Sequence, residues 1–208
     1  MSDAAARPDA EVFAGLDIGR RADVERYRAM LEAGNRRLNL VGASTLADFA
    51  TRHFLDSAQL LVLAPTARVW ADLGAGAGLP GIVLAILLKG EAGAKVHLVE
   101  SMTKRCRFLA EVTADLALPT EIHNARAESL RLRVEVVTAR ACAPLTRLLG
   151  FARPYLQLGA KGLFLKGAEV DSEIDEARKS WRFVVHVHPS VSDPRGRILE
   201  VSELQRVG

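Results

Sequence analysis

The fold is decided by the stretch Val69-Trp70-Ala71-Asp72-Leu73-Gly74-Ala75-Gly76-Ala77-Gly78-Leu79-Pro80-Gly81. A short apolar run with an acid near its end leads into alternate glycines, and an apolar helical pattern begins at Ile82. This order predicts a strand, a glycine-rich turn and a helix. Glycine has no Cβ, so such a turn lets a ligand approach the backbone, and the first turn of the helix offers unpaired N–H groups. The stretch therefore predicts a site for a nucleotide-like ligand.

Strand and helix patterns alternate on the C-terminal side of this stretch, which is typical of a mostly parallel sheet. The last two strands are separated only by the turn Pro194-Arg195-Gly196, which predicts an antiparallel edge. By analogy this is an α/β, Rossmann-like class I fold of S-adenosylmethionine (SAM)-dependent methyltransferases, with a seven-stranded, mostly parallel sheet. The predicted strands are 68–73, 95–99, 120–123, 134–138, 161–165, 183–187 and 197–201, and the predicted helices are 79–88, 103–116, 145–156 (bent or broken at Pro154) and 171–179.

The N-terminal third of the chain has helical rather than alternating periodicity. Apolar residues recur at helix spacing over 9–63, with a stop predicted at Gly34 and a bend over 35–42. We therefore predict an N-terminal tail and helical extension at 1–66, packed on a methyltransferase domain at 67–208.

Composition restricts the function classes. The 208 residues carry a net charge of +3, which is compatible with a polyanionic partner. Residues 1–9 lack the pattern of a signal peptide, and the longest apolar run near the glycine stretch is too short to span a membrane. The two cysteines form no CxxC pair, so no metal site is predicted. We expect a cytoplasmic protein, a monomer, with no membrane or DNA partner.

Two cofactors compete for the glycine turn. Gly76-x-Gly78-x-x-Gly81 matches the dinucleotide fingerprint, but the acid expected about 20 residues later would fall inside the second strand. Counting from Gly74 instead pairs the turn with Glu100, at the end of the second strand, where a carboxylate can accept hydrogen bonds from both ribose hydroxyls. This pairing favours SAM over NAD, although Glu100 could instead cap the next helix.

A third loop is expected to reach the same edge of the sheet. Arg126, Ala127 and Glu128 follow the third strand, and ligands of open α/β sheets bind at the carboxyl ends of the strands. The backbone N–H of Ala127 or Glu128 could therefore contact an adenine ring. This loop completes a predicted SAM site.

Several segments carry a more specific resemblance. In chain order they are Asn35-Arg36-Arg37-Leu38-Asn39-Leu40-Val41, Arg52-His53-Phe54-Leu55-Asp56-Ser57, Asp72 to Gly81, Leu98-Val99-Glu100-Ser101, Lys104-Arg105-Cys106-Arg107-Phe108-Leu109, Arg140-Ala141 and Leu165-Lys166-Gly167. The most distinctive pattern is Arg-His-x-x-Asp-Ser ahead of Gly-Leu-Pro-Gly. On these segments the chain resembles the bacterial small-subunit ribosomal RNA guanine-N7 methyltransferases, the RsmG or GidB family.

The resemblance implies methyl transfer from SAM to N7 of one guanine in 16S ribosomal RNA (rRNA) of the small subunit. It implies cofactor contacts at Gly74, Leu79, Ala127, Glu128 and Arg140, to which the glycine pattern adds Gly76 and Gly78. Val41-Gly42 and Cys142 depart from the common family residues, and neither affects these assignments.

The chemistry of guanine N7 is consistent with the residues at the strand ends. N7 carries no proton, so its attack on a methyl group needs no general base, only alignment and charge management. We expect Arg140 to position the cofactor and the base, and Lys166 to contact O6 or the RNA backbone. An ordinary ion pair at the rim is the alternative for each. The order Cys142-Ala143-Pro144 argues against a cysteine nucleophile.

Basic side chains near the same rim are candidates for phosphate contacts. A hydrogen bond from His53 to Asp56 is the structural alternative for that histidine. Other functions that stay open are a methyltransferase for a small molecule or protein, a NAD-dependent oxidoreductase and a non-catalytic cofactor-binding protein. The RNA-binding candidates are Arg36, Arg52, His53, Lys104, Arg105 and Arg126.

Overall fold

The computed structural model describes residues 9–207, apart from the side chain of Ala10. Most of the predicted N-terminal tail lies outside the described residues. The helical extension begins with two α-helices and continues through a 3₁₀ helix and a π-helix. Its elements are α1 (Asp9–Val12), α2 (Ile18–Leu38), the 3₁₀ helix Ala43–Asp48, the π-helix Ala50–Leu55, α3 (Asp56–Ala58) and α4 (Leu60–Leu63).

The rest of the described chain alternates strands with helices until its last two strands, as predicted. The strands are β1 (Val69–Leu73), β2 (Lys95–Glu100), β3 (Thr120–Asn124), β4 (Val136–Arg140), β5 (Lys161–Lys166), β6 (Trp181–Pro189) and β7 (Arg197–Arg206). The helices are α5 (Gly81–Leu87), α6 (Thr103–Asp115), α7 (Leu145–Leu156) and α8 (Val170–Arg178), with a 3₁₀ turn at Ala127–Ser129.

The seven strands form one sheet in the order β3-β2-β1-β4-β5-β7-β6. Strands β3, β2, β1, β4 and β5 pair in parallel, and β7 pairs antiparallel with both β5 and β6. The predicted seven-stranded, mostly parallel sheet is therefore confirmed. The parallel order also brings the carboxyl ends of five neighbouring strands to one edge.

The sheet separates two apolar layers. Trp70 faces the layer that contains α5, α6 and the helical extension, whereas its neighbour Ala71 faces the layer that contains α7 and α8. Because both faces are covered, β1 and β4 are apolar almost throughout, except for the buried Asp72 and Thr138 and for Arg140 at the end of β4. Tyr27 of α2 is fully buried in the first layer, so the extension contributes directly to the core.

Several predicted boundaries are wrong. Helix α2 continues past Gly34 to Leu38. The glycine serves the packing of α2 on α6 instead, since a Cβ there would lie 2.7 Å from Phe108 Cε2. The helix ends instead at Asn39, whose φ of 46° is left-handed. Helix α7 has the predicted bounds, and it continues through Pro154, which lies in its last turn.

Strand β4 lies two residues later than predicted. Its first pair is Val136 with Trp70, whereas Glu135 accepts hydrogen bonds from the backbone N–H groups of Arg68 and Val69 at 2.7 and 2.8 Å. Glu135 thus fixes the start of the pairing through its side chain, and the strand ends at Arg140. The last two strands are also longer than predicted. Among residues 9–207, no helix is both long enough and apolar enough to cross a membrane.

Candidate active site

The glycine turn is held by its own backbone. Gly74 and Ala75 both donate N–H groups to the carbonyl oxygen of Val99, at 2.8 and 3.0 Å. Gly74 has a φ of +70°, and a Cβ at this position would lie 2.7 Å from Cys142 Sγ. The turn therefore lies tightly between the ends of β2 and β4, and a residue with a side chain cannot replace Gly74 without strain.

The helical extension supports the turn from below. The hydroxyl of Tyr27 donates a hydrogen bond of 2.9 Å to the carbonyl oxygen of Ala77. At Gly78, with φ +93°, an added Cβ would overlap the side chain of Ile82. Gly78 thus lets the turn pack against the start of α5 rather than exposing its backbone to a ligand.

Asp72 is fully buried beneath the turn. Its Oδ2 accepts a hydrogen bond of 2.9 Å from the N–H of Gly81, and its Oδ1 has no partner among the described residues. Burial raises the pKa of this carboxyl to about 7, an effect only partly opposed by the hydrogen bond from Gly81. Asp72 therefore connects the end of β1 to the start of α5.

Glu100 contacts both the turn and the next helix. Its Oε2 accepts from the N–H of Gly76 at 3.1 Å, and its Oε1 accepts from the N–H of Met102 at 2.7 Å. The Nη1 atom of Arg105 lies 3.8 Å from Oε2. Glu100 thus bonds the residue just before α6, whereas the alternative from sequence, a cap on the first turn of that helix, is not seen in the described part of the chain. Each carboxylate oxygen keeps a further lone pair for another donor.

A cavity of about 700 Å³ opens at this edge of the sheet. Most of its lining comes from the glycine turn, the segment from Leu40 to Asp56, the ends of β4 and β5, and the loop between β6 and β7, and α6 and α8 add one residue each. Cations and anions mix along the lining. The charged residues are Arg52, Asp56, Arg105, Arg140, Lys166, Glu173, Asp193 and Arg197.

Arg140 joins the end of β4 to the helical extension. Its Nη1 donates to the carbonyl oxygen of Arg52 at 2.9 Å and to Asp56 Oδ2 at 3.3 Å. Its Nη2 lies 3.1 Å from His53 Nδ1. Three contacts leave part of the five-donor guanidinium available to a ligand. Asp56 also accepts a 2.6 Å hydrogen bond from Ser192, so the same cluster holds the loop between β6 and β7.

His53 serves this cluster as a neutral acceptor. Arginine cannot accept a hydrogen bond, so His53 Nδ1 must accept, and Nε2 carries the proton toward Thr45 Oγ1 at 2.9 Å. Burial first, and then the charges of Arg140 and Arg52, lower the pKa of His53 to about 4. The predicted alternative of a bond to Asp56 is wrong, because the ring points toward β4. His53 is 4% exposed and lines the cavity, so the predicted direct RNA contact could use only the small part of the ring that faces it.

Lys166 lies in an ion pair at the end of β5. Its Nζ is 2.6 Å from Glu173 Oε2 and 3.1 Å from the carbonyl oxygen of Ala143, and its side chain is 9% exposed. The ion pair that was the alternative interpretation of Lys166 is therefore present. One ammonium donor remains for a ligand.

The structure brings together only some of the predicted site residues. Gly74, Gly76, Leu79, Arg140, Lys166, Arg52, His53 and Arg105 line the cavity. The other predicted residues lie outside the set that lines it: Gly78, Glu100, Ala127, Glu128, Arg36, Lys104 and Arg126.

The residues outside the lining have other surroundings. Ala127 is buried and accepts a hydrogen bond from Tyr155 through its carbonyl oxygen. Arg126 is 76% exposed beside Glu128, and Arg36 lines a separate groove along α2.

Sequence reasoning missed Thr45, Glu173 and Ser192 as parts of the site. None of the three carries a motif, because each acts on a residue of a different element.

The cavity fits a nucleotide-like cofactor. Three glycines with positive φ form a turn without side chains, and Gly74 and Gly76 line the cavity. Glu100 sits directly behind Gly76 with lone pairs to spare. Burial also raises the pKa of the Cys142 thiol beside Gly74, which disfavours a thiolate nucleophile.

A family model described as "rRNA small subunit methyltransferase G" matches residues 20–197 of the chain. The chain belongs to this family. A small-subunit rRNA methyltransferase G of Caulobacter vibrioides (strain NA1000 / CB15N) is 65% identical over 185 residues, covering 89% of this chain and 86% of the relative. The protein of the same name from Rhodospirillum rubrum is 50% identical over 185 residues, which cover 88% of this chain and 90% of the relative.

Solved structures share the fold at low sequence identity. Magnesium protoporphyrin IX methyltransferase from Synechocystis PCC 6803, solved with bound SAM, has a TM-score of 0.55 at 17% identity and covers 90% of this chain and 98% of its own. A SAM-dependent methyltransferase from Aquifex aeolicus has a TM-score of 0.55 at 13% identity, with coverage of 82% and 96%. The fold is therefore that of the class I SAM-dependent methyltransferases, as predicted, and the chain is a methyltransferase of the rRNA methyltransferase G family.

Proposed function

We propose that this protein transfers a methyl group from SAM to N7 of one guanine in 16S rRNA, acting on RNA of the small ribosomal subunit in the cytoplasm. Membership of the rRNA methyltransferase G family supports methylation of small-subunit rRNA. The choice of guanine N7 rests on the motif resemblance and on the chemistry of the cavity.

The observation that carries the proposal is that every imidazole and carboxylate lining the cavity, among the described residues, already accepts a hydrogen bond; Asp193, near the opening, accepts from the N–H of Arg195 at 2.9 Å. The His53 imidazole accepts from Arg140, and Asp56 accepts from Arg140 and Ser192. Glu173 accepts from Lys166 and from the N–H of Leu145. A cavity whose bases already accept hydrogen bonds suits a methyl acceptor that has no proton to lose. Guanine N7 is such an atom.

The residues at the glycine turn would hold the cofactor. Gly74, Gly76 and Leu79 line the cavity, and the two glycines have no side chain that could obstruct a ligand. Glu100 would accept hydrogen bonds from the ribose hydroxyls. Ala127 and Glu128 would contact the adenine through their backbone. When bound, SAM supplies an electrophilic methyl group on a sulfonium sulfur. The protein's task is then to align the acceptor and to manage charge.

Arg140 and Lys166 would position the base. Guanine offers O6 beside N7, and O6 is an acceptor that matches the free donors of a guanidinium or an ammonium, which leaves the N7 lone pair free to attack the methyl group. His53 and Asp56 fix the plane of the Arg140 guanidinium, so we assign a positioning role to both. For His53 this role replaces the predicted RNA contact. Glu173 does the same for Lys166.

Exposed cations around the cavity would bind phosphates. Arg52 and Arg105 line the cavity, and we propose that they meet the nucleotides beside the target. Lys104, Arg126 and Arg36 are farther out and would add charge without sequence information. We also propose that residues 1–66 and 67–208 act as one unit, because Tyr27 supports the glycine turn and Arg140 binds the carbonyl of Arg52.

The proposal is tested by methyl transfer in vitro. Small subunits from cells that lack the corresponding gene are incubated with the protein and labelled SAM, and naked 16S rRNA, total protein and small-molecule fractions are assayed beside them. We expect label in 16S rRNA only. Label in protein or small molecules, or binding of NAD without SAM, would contradict the proposal.

A further inference from the structure

Two histidines and a glutamate meet at the edge of the sheet, outside the lining of the cavity. His97 lies on β2, and Glu121 and His123 lie on the edge strand β3. In the parallel register His97 pairs with Glu121, and Val99 pairs with His123, so the three side chains come from adjacent positions on one face. Among the described residues this is the one group of three ligand-type side chains whose donor atoms all lie within 4.8 Å of one another.

The distances resemble those between ligands of one metal ion. His97 Nδ1 and His123 Nε2 are 3.0 Å apart. Glu121 Oε2 lies 3.8 Å from His97 Nδ1, and Oε1 lies 3.7 Å from His123 Nε2. Bonds of about 2.0–2.1 Å in a tetrahedral zinc site place neighbouring ligand atoms about 3.3 Å apart. Shifts of a few tenths of an ångström would therefore let all three atoms bind one ion.

We propose that His97, Glu121 and His123 form a binding site for one divalent transition-metal ion of the zinc class, with a fourth position open to water. Imidazole and carboxylate ligands suit such ions. The site has a buried and an open side: the side chains of His97 and His123 are 10% and 15% exposed, and that of Glu121 is 47% exposed. The ion would enter from the Glu121 side.

The ion would replace contacts that already bring the ligands together. In the described structure the two ring nitrogens share one hydrogen bond, and Lys95 Nζ lies 3.0 Å from Glu121 Oε2. Binding needs both nitrogens as acceptors, so the shared proton moves to the far nitrogen of its own ring. Lys95 competes for the carboxylate, and half of its side chain is exposed, so it can move away.

A bound ion would fix the edge strand. Strand β3 has one neighbour in the sheet, and the segment that follows it leads into Arg126, Ala127 and Glu128. An ion held by one ligand from β2 and two from β3 would cross-link the two strands. We therefore expect it to raise the unfolding temperature without being required for methyl transfer.

The experiment is a titration of the full chain, free of any affinity tag, with Zn²⁺ and separately with Co²⁺. Calorimetry gives the stoichiometry and affinity, and visible absorption of Co²⁺ reports nitrogen and oxygen ligation. The variants are His123→Gln, Glu121→Gln and Lys95→Gln. His188→Gln is the matched control, since His188 also pairs with a glutamate, Glu200 at 2.9 Å, but belongs to no group of three ligand-type side chains within 4.8 Å among the described residues.

We expect one ion per chain and a higher unfolding temperature when Zn²⁺ is present. His123→Gln and Glu121→Gln should each weaken metal binding by more than about tenfold. Loss of a group that only orients a metal ligand already costs about tenfold, and these two residues are themselves ligands. Lys95→Gln should strengthen binding, and His188→Gln should leave it unchanged. Absence of binding to the folded chain, or equal binding by all variants, would overturn the proposal; the exposed Glu121→Gln keeps the test valid if a histidine variant unfolds.

Discussion

The two halves of the candidate site are built in opposite ways. The glycine turn depends on backbone hydrogen bonds to Val99 and on glycines at alternate positions of one short stretch of sequence. The Arg140 cluster depends on side-chain donors and acceptors together with the backbone carbonyl of Arg52, and these contacts join residues that are 84 to 88 positions apart. The turn is thus a local device that suits an invariant cofactor. The cluster is a long-range device that suits the positioning of a macromolecular substrate.

The largest effect is expected from adding a side chain to the turn. Gly78→Ala forces a non-glycine residue to a φ of +93° and overlaps Ile82, so strain and overpacking together should cost about 4 kcal/mol of unfolding free energy. Gly90→Ala is the matched control: its φ is +86°, but a Cβ there has open space. It should lose only about 1 kcal/mol. Urea unfolding measures both, and equal losses would refute the packing argument.

The acid beneath the turn should make the protein less stable as pH rises. The pKa of Asp72 is about 7 in the folded state and 3.8 in the reference state, so from pH 4 to pH 7 the unfolded chain loses its proton while the folded chain keeps it. Asp72→Asn cannot ionise. Its stability relative to the unmodified protein should therefore grow by up to about 4 kcal/mol over this range. A difference that is independent of pH would contradict this account.

The histidine of the Arg140 cluster should have the opposite dependence. The pKa of His53 falls from 6.5 to about 4 on folding, so between pH 6.5 and pH 4 the unfolded chain gains a proton that the folded chain does not. This lowers the stability of the unmodified protein by up to about 3 kcal/mol as pH falls. The stability deficit of His53→Gln should shrink by that amount over the same range. A constant deficit would show that His53 is not buried as a neutral ring.

The cluster should affect methyl transfer more than cofactor affinity. Arg140→Lys keeps the charge but loses the planar set of donors to Arg52, Asp56 and His53, so the target base is misplaced. We expect the turnover number to fall by about 100-fold, with SAM affinity within a few-fold of the starting value. Calorimetry and single-turnover assays measure the two quantities. Equal losses in both would assign Arg140 to the cofactor alone.

The same contrast explains what the sequence could predict. The turn was found because its signals are local: alternate glycines, a preceding strand and Glu100 at the next strand end. Even so, the sequence did not reveal that Gly78 serves packing, because that role depends on Ile82 in three dimensions. The mostly parallel sheet and its antiparallel edge followed from the alternation of patterns.

The errors come from long-range contacts that leave no local pattern. Gly34 was predicted to end a helix, but it fits against Phe108 of another helix. The structural alternative for His53 was a hydrogen bond to Asp56 one turn away, whereas Arg140 and Thr45 determine its orientation. Glu173 carried no signal at all, since its partner Lys166 lies on a different element. The motif Arg-His-x-x-Asp-Ser marked the right segment without indicating its partner.

The central claim is that the cavity delivers a methyl group to an atom that needs no base. The most direct measurement is nucleoside analysis, by mass spectrometry, of 16S rRNA labelled by the purified protein on unmodified small subunits. The account predicts 7-methylguanosine as the sole labelled nucleoside, at one position. Label on a ribose hydroxyl, or on a base nitrogen that must first lose a proton, would contradict it.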